Sequence, residues 1–272
     1  MKNILLLALV LLSQNAFSQP LCTDLITAPV VYTSRSSAFT NAFAIVKNEV
    51  DTLIGPLAPA DVSVKKSLYF LDSQFNLETF EIVIGMQHKV RDLFSPLSLD
   101  HVTMAHEYGH AILEKNIPIA VDYDQSIRSS FHELFADVVA ITYTRNPRSL
   151  RDLTQKFDPN FENHMGRNFE VDLNLYYKDW KSKVTETIGI ENPYEMMNPV
   201  KWALWDIVKN KIHSDSYRKK IIPLFLEAMK PNFVKWTERS RDYPDTIDTT
   251  EMVRVNQQII KVLYKSDLMK PI

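Results

Sequence analysis

The sequence has one cysteine and very few glycines, and these two shortages exclude several kinds of protein. Because Cys22 is the only cysteine, an intramolecular disulfide is excluded, and the fold must rely on packing and on any bound metal. Five glycines in 272 residues argue against a glycine-rich phosphate loop and against an all-β fold dense in turns. We therefore expect a mostly helical chain.

A strong excess of charge is also missing, and so is a long hydrophobic run. Lys and Arg total 31 against 33 Asp and Glu, which gives no strong field to attract nucleic acid or an anionic membrane. The uncharged run at residues 4–12 is too short to span a bilayer, and no later stretch is long enough. We therefore predict no nucleic-acid partner and no integral membrane segment in the mature protein.

The N-terminus has the pattern of an export signal. Lys2 precedes the apolar run, and Ala16-Phe17-Ser18 supplies a small-x-small cleavage site. We predict that residues 1–18 are a removed signal peptide and that the protein is secreted or periplasmic, and export without disulfides suits a bacterial protein. A lipid anchor at Cys22 is the alternative, although the residue before it is leucine rather than a small residue.

The hydrophobic pattern divides the remaining chain into two portions. We predict an α+β fold in which a small mixed sheet and the helices that carry the motifs described below occupy residues 19–145, and a mainly helical lobe occupies residues 146–272. Ser98 is the expected N-cap of the helix that carries the motif below. The predicted strands cover 29–33, 61–71 and 77–85, and the predicted helices cover 38–53, 98–115, 126–144, 199–212, 216–230 and 248–266.

The strongest chemical signal is His106-Glu107-Tyr108-Gly109-His110 on the helix predicted at 98–115. Two histidines four residues apart project from one face of a helix about one turn apart, so both imidazoles can bind one ion. Glu107 would lie beside that ion and could take a proton from the attacking water, which makes it the candidate general base. The spacing predicts a Zn²⁺ site.

A catalytic zinc usually has three protein ligands, so a third ligand is required. A metzincin motif is excluded because Leu113 and Asn116 stand where that motif has glycine and histidine. The next predicted helix offers Glu133 as the third ligand. Asp137 lies one turn further on and could accept a hydrogen bond from the outer nitrogen of a ligand histidine.

Other roles for these residues stay open at this point. Ser130-x-x-Glu133 also matches a capping box, in which Glu133 would only fold back on the start of the helix. His132 could be the ligand instead, although its direction on a helix differs from that of Glu133 by about 100°. His101 lies off the ligand face and is expected to be an exposed or capping histidine.

A helix with His-Glu-x-x-His followed by a helix with Glu-x-x-x-Asp resembles the gluzincin metallopeptidases, the thermolysin-like clan. The resemblance covers roughly residues 75–145. It implies these roles: zinc ligands His106, His110 and Glu133, general base Glu107, and Asp137 as the partner of a ligand histidine.

The resemblance carries two further expectations. In that family a strand comparable to residues 79–85 runs at the edge of the cleft, where it pairs with extended substrate. Residues 198–206 are loosely similar to a helix that follows the oxyanion-stabilising residue, and this makes Tyr194 a candidate for that role. The short N-terminal portion and the few glycines depart from the family, which leaves substrate preference and activation open.

Together these residues predict a secreted zinc-dependent peptidase that acts on a peptide or protein substrate by metal-activated water. The alternative from another class is a gluzincin-like protein that binds metal or a partner but has no catalytic activity.

Overall fold

The structure is a computed structural model that describes most of the chain. Several predicted features lie outside the described residues: the signal segment 1–18, Cys22, the strand at 29–33 and the cap at Ser98. The described residues are 37–66, 73–76, 78–85, 101–117, 125–157, 167–170, 194–240 and 249–270.

Helices form most of the described chain, as the shortage of glycine predicts. In the first helix Phe43, Val46 and Val50 recur at helical spacing and are buried on one face. No helix in the described ranges combines the length and the apolar content needed to cross a bilayer. The helices are α1 (Ser37–Ile54), α2 (His101–Asn116), α3 (Gln125–Thr144), α4 (Ser149–Phe157), α5 (Asn198–Val208), α6 (Asp215–Ser240) and α7 (Thr249–Lys265).

All six helices predicted from the sequence are found, but two features of the helical part were missed. The first is α4, which begins at Ser149, shortly after α3 ends at Thr144. The second is the length of α6, which continues through Pro231 to Ser240. A proline inside a helix removes a hydrogen bond, but Phe225, Met229 and Asn232 are buried on α6, and this packing keeps the helix continuous.

Three short strands form a mixed sheet, which confirms the α+β prediction. They are β1 (Ser63–Lys66), β2 (Gln74–Asn76) and β3 (Glu81–Ile84), in the order β1-β3-β2. β3 pairs with β1 in parallel and with β2 antiparallel, with Ile82 opposite both Val64 and Phe75. The central strand, β3, therefore lies within the strand predicted at 77–85, whereas β2 was not predicted.

The position of β3 corrects one expectation from the resemblance. A strand at residues 79–85 was expected at the edge of a cleft, free to pair with substrate, and that expectation is wrong. Both sides of β3 are taken by neighbouring strands, and Ile82 and Ile84 are completely buried. A buried apolar strand of this kind belongs in the middle of a sheet.

One hydrophobic core joins the two predicted portions of the chain. It includes Ile82 of the sheet, Leu134 of α3, Phe225 of α6 and Ile259 of α7. α6 contacts both α1 and α3, so one C-terminal helix packs directly on the helix that carries Glu133 and Asp137.

Arg218 on α6 supports this packing with a buried charge. Its Nε donates to the Thr142 carbonyl at 3.1 Å, and its Nη2 donates to Glu49 Oε1 at 2.8 Å. A third bond, from Nη1 to Asp215, satisfies another part of the guanidinium. A buried cation is tolerated only when it is paired in this way, so Arg218 ties α1, α3 and α6 together.

Candidate metal centre

α2 carries the motif through the middle of the protein. Every side chain from Thr103 to Glu114 is buried. Tyr108 points toward α1, where its hydroxyl donates to Asp51 Oδ1 at 2.5 Å and its ring packs edge-on against Phe43. Because Tyr108 is two residues from each histidine, this anchor turns His106 and His110 toward the opposite side of α2.

α3 lies against that opposite side at very short range. A Cβ built on Gly109 would lie 2.6 Å from Ala136 Cα and 3.2 Å from Val139 Cβ. Only glycine leaves room for this approach. The close contact places Glu133, three residues before Ala136, and Asp137, the residue after it, against the two histidines.

Donor atoms of His106 and His110 on α2 and of Glu133 on α3 converge on one point. His106 Nε2 lies 3.2 Å from Glu133 Oε2, and His110 Nε2 lies 3.8 Å from Glu133 Oε1. Donor atoms of the three side chains all lie within 4.8 Å of one another, and each residue is buried. In a tetrahedral zinc site with bonds of about 2.0–2.1 Å, two ligand atoms lie about 3.3 Å apart. The arrangement therefore fits a metal ion between these donors.

The outer nitrogens of the two histidines give a second test of that fit. His106 Nδ1 lies 3.0 Å from Asp137 Oδ1, the distance of a hydrogen bond, but the ring N–H is not aligned with the oxygen. His110 Nδ1 is also buried without an aligned hydrogen-bond partner in the described part of the chain. A carboxylate close to the outer nitrogen is the usual arrangement behind a metal-binding histidine, so His106 meets this test through Asp137 and His110 does not.

The structure also removes one of the open roles of Glu133. The capping-box prediction is wrong, because α3 begins at Gln125 and Ser130 lies inside the helix. The Ser130 hydroxyl instead donates to the sulfur of Met196. Glu133 is therefore available to face the histidines rather than the helix start.

His132 and His101 take other positions. The ring of His132 lies 5.6 Å from that of His110, but its Nε2 is 3.6 Å from Glu114 Oε2, and the donor cluster uses Glu133. His101 begins α2, where its Nδ1 lies 3.1 Å from the Tyr143 hydroxyl. It is half-buried rather than exposed, and it lies outside the cluster, as its place off the ligand face predicts.

Two cations at the site were not identified from the sequence. Arg167 Nη2 donates to Glu133 Oε2 at 3.2 Å, and its guanidinium lies 4.0 Å from the centre of the Tyr194 ring. Lys201 Nζ donates to Asp137 Oδ2 at 2.6 Å. A lysine between Val200 and Trp202 in an apolar helix was a detectable signal, whereas nothing local marked Arg167.

Tyr194, the candidate oxyanion donor, is linked to this cluster by contacts with both cations. Arg167 stacks on its ring, and its backbone carbonyl accepts a hydrogen bond from Lys201 at 2.9 Å. Glu107, the candidate base, is 5% exposed and lies next to His106 on α2. All six residues named for the site from the sequence are thus in one region of the fold.

Burial and ion pairing act in opposite directions on the titration of the site. Burial lowers the pKa of His106, but the adjacent carboxylates of Asp137 and Glu133 outweigh it and raise that pKa to about 9. For His110 burial prevails and lowers the pKa to about 4. Burial would raise the pKa of Asp137, yet Lys201 and Arg167 hold it well below its usual range. The carboxylates are therefore anionic at neutral pH.

Comparison with known proteins gives no further identification. No family model, no curated protein and no solved structure matches this chain. The geometry of the residues themselves must therefore carry the functional conclusion.

Proposed function

We propose that the protein is a zinc-dependent peptidase of the gluzincin type. The observation that supports this most directly is the convergence of His106 Nε2, His110 Nε2 and the Glu133 carboxylate, with separations of 3.2 and 3.8 Å. Two imidazoles and one carboxylate are a donor set that suits catalytic zinc. When bound, zinc supplies a Lewis acid that polarises the scissile carbonyl and makes water more acidic.

Glu107 provides the proton transfer in this proposal. It takes the proton of the attacking water as the oxygen bonds to the carbonyl carbon, and it then gives that proton to the leaving nitrogen as the C–N bond breaks. Its burial next to His106 supports this role, because a carboxylate held in a dry site needs little reorganisation during the reaction.

Tyr194 is the proposed donor to the oxyanion. Its ring stacks on Arg167, and its carbonyl is held by Lys201, so both interactions restrain it beside Glu133 and Asp137. A preorganised donor of this kind stabilises charge that develops in the transition state. The substrate proposed is a peptide or protein, and the predicted signal segment 1–18 makes the exported compartment its proposed location.

The test combines zinc content with peptide hydrolysis in the wild type and in Glu107→Gln. We expect one zinc per chain in both proteins and a loss of hydrolysis only in the variant. Glu114→Gln is the matched control, since Glu114 is buried on the same helix but faces His132. Hydrolysis that survives Glu107→Gln would overturn the proposed base, and a wild type without stoichiometric zinc would overturn the proposed centre.

One observation favours the alternative, a metal-binding or interaction protein without catalytic activity. Arg167 and Lys201 pair with Glu133 and Asp137, so the ionic cluster also serves to hold α3 to other parts of the chain. A wild-type protein that binds zinc stoichiometrically but cleaves nothing in a broad peptide library would support this alternative over the peptidase.

A further inference from the structure

Lys201 is a charged residue with no exposure to solvent at all. It lies on α5, in the apolar run Pro199-Val200-Lys201-Trp202, where a charge is costly unless it is paired. Its Nζ donates to Asp137 Oδ2 at 2.6 Å and to the Tyr194 carbonyl at 2.9 Å. The lysine thus points at the carboxylate behind the candidate metal centre.

The carboxylate of Asp137 connects Lys201 to His106. One oxygen, Oδ2, accepts from Lys201, while the other, Oδ1, lies 3.0 Å from His106 Nδ1. A carboxylate is planar, so fixing one oxygen restricts where the other can point. The opposite nitrogen of the same ring, His106 Nε2, faces Glu133 at 3.2 Å. One chain of buried contacts therefore runs from α5 to the candidate metal donors, through Lys201, Asp137, His106 and Glu133.

Lys201 is itself held in place by its neighbours. The indole Nε1 of Trp202 donates to the Asn168 carbonyl at 3.3 Å, and Lys201 Nζ lies 5.8 Å from the centre of the Phe169 ring. These contacts join α5 to the segment 167–170, which also carries Arg167 onto Glu133. The ammonium group consequently has little freedom to leave Asp137.

We propose that Lys201 is a positioning residue of the metal centre: by fixing Asp137 it orients the His106 ring, so that Nε2 is directed at the metal. This inference rests on the metal site of the proposed function. It adds to that site a residue that cannot touch the metal, and it explains why a lysine is buried in an apolar helix. Removing a group that holds a metal ligand in position typically weakens metal binding by about 10- to 100-fold.

The test measures zinc affinity by chelator competition in the full-length protein for Lys201→Met, Asp137→Asn and the double variant. We expect each single variant to bind zinc about 10- to 100-fold more weakly. If Lys201 acts through Asp137, Lys201→Met will change the affinity by no more than about twofold in the Asp137→Asn background. Because the double variant removes both charges, it should fold even where a single variant is unstable.

A spectroscopic measurement separates positioning from general destabilisation. In the zinc-loaded wild type, the Nδ1 proton of His106 should give a slowly exchanging, downfield NMR resonance, which Lys201→Met should shift or abolish. The matched control is Arg218→Met, which removes another buried cation whose partners are Thr142, Asp215 and Glu49. It should lower the melting temperature yet leave the resonance in place and the zinc affinity within about twofold.

The outcomes distinguish this inference from the proposed function. If Asp137→Asn weakens zinc binding but a folded Lys201→Met does not, the positioning role is wrong and the metal site stands. An equal effect of Lys201→Met with and without Asp137 would also overturn it, since the lysine would then not act through the carboxylate. A wild type that binds no zinc would overturn both.

Discussion

Gly109 and Ala136 are in such close contact that a Cβ on the glycine would lie 2.6 Å from the alanine Cα. This is shorter than two carbon atoms can approach without displacement. In the sequence, Gly109 stands between His106 and His110 on α2. Ala136 likewise stands between Glu133 and Asp137 on α3. The spacing of the four site residues therefore depends on a residue that has no chemistry of its own.

Gly109→Ala should separate α2 from α3. The added methyl group meets backbone, so we expect a loss of about 1–3 kcal/mol from overpacking, reduced by up to about 1 kcal/mol because alanine favours helices. Urea unfolding measures the stability, and chelator competition measures the zinc affinity, which we expect to be weaker.

Gly55→Ala is the control. Its Cβ would meet nothing within 4 Å, and only its φ of +56° is strained, so stability should fall without loss of zinc. Equal zinc affinity in both variants would contradict the role of the close contact.

Removing zinc should destabilise the protein. A ligand that binds only the folded state adds about 4 kcal/mol at a free concentration 1,000 times its Kd. We therefore expect a chelator to lower the melting temperature and added zinc to restore it. His110→Ala should lose this response because it lacks one donor, whereas His101→Ala should keep it, since His101 lies outside the cluster. A chelator-independent melting temperature in the wild type would argue against the site.

Much of the site could be predicted from the sequence because it is local. His106 and His110 are one helical turn apart, and so are Glu133 and Asp137, so helical periodicity alone places each pair on one face. The helices themselves were predicted for the same reason. What joins the two helices is the Gly109 contact, and its importance is visible only when α3 is placed against it.

The remaining parts depend on distant contacts. Lys201 is 64 residues from Asp137 and Arg167 is 34 from Glu133, so neither pairing has a local signal. The strand β2 is only three residues long and is defined by its pairing with β3 rather than by its own pattern. The same cause explains the error about β3: its apolar residues predict a strand, but a position at the edge or the centre depends on its neighbours.

Tyr194→Phe should reduce turnover without reducing zinc affinity. Removing one donor to an oxyanion costs about 100- to 1,000-fold in kcat, because the hydroxyl acts on charge that exists only in the transition state. The phenyl ring can still stack on Arg167, so the surrounding structure should persist. Steady-state kinetics with a peptide substrate measures kcat and KM, and Tyr264→Phe, at an exposed position, is the control. A change confined to KM would assign Tyr194 to substrate binding instead.

Lys201→Met should lower stability by about 3–5 kcal/mol, because it takes away the ammonium group that pairs with the buried Asp137 carboxylate. Replacing both partners with apolar residues, Lys201→Met with Asp137→Leu, should recover most of that loss, since no charge then remains to be solvated. Urea unfolding of metal-free proteins gives both values without interference from zinc binding. A double variant as unstable as the single one would show that packing, rather than charge, is what Lys201 contributes to the free energy of unfolding.

Tyr217 predicts how stability changes at alkaline pH. Its hydroxyl donates to the Leu268 carbonyl at 2.5 Å, and burial raises its pKa from 10.0 to about 12. Below pH 10 the tyrosine is neutral in both states, and its contribution to stability is fully present. Between pH 10 and 12 the unfolded chain loses the proton while the folded chain keeps it, so the free energy of unfolding should fall by at most about 3 kcal/mol.

Tyr217→Phe tests this prediction because the variant cannot ionise. It should be less stable than the wild type below pH 10, where it lacks the bond to Leu268, by about 1 kcal/mol. Above pH 10 the wild type alone loses stability at this residue, so the difference between the two proteins should shrink or reverse by pH 12. Tyr108, whose pKa is also raised by burial, leaves an alkaline slope in both proteins, and the difference curve removes it. Urea unfolding at intervals from pH 8 to 12 measures that curve, and two parallel profiles would show that Tyr217 ionises equally easily in both states.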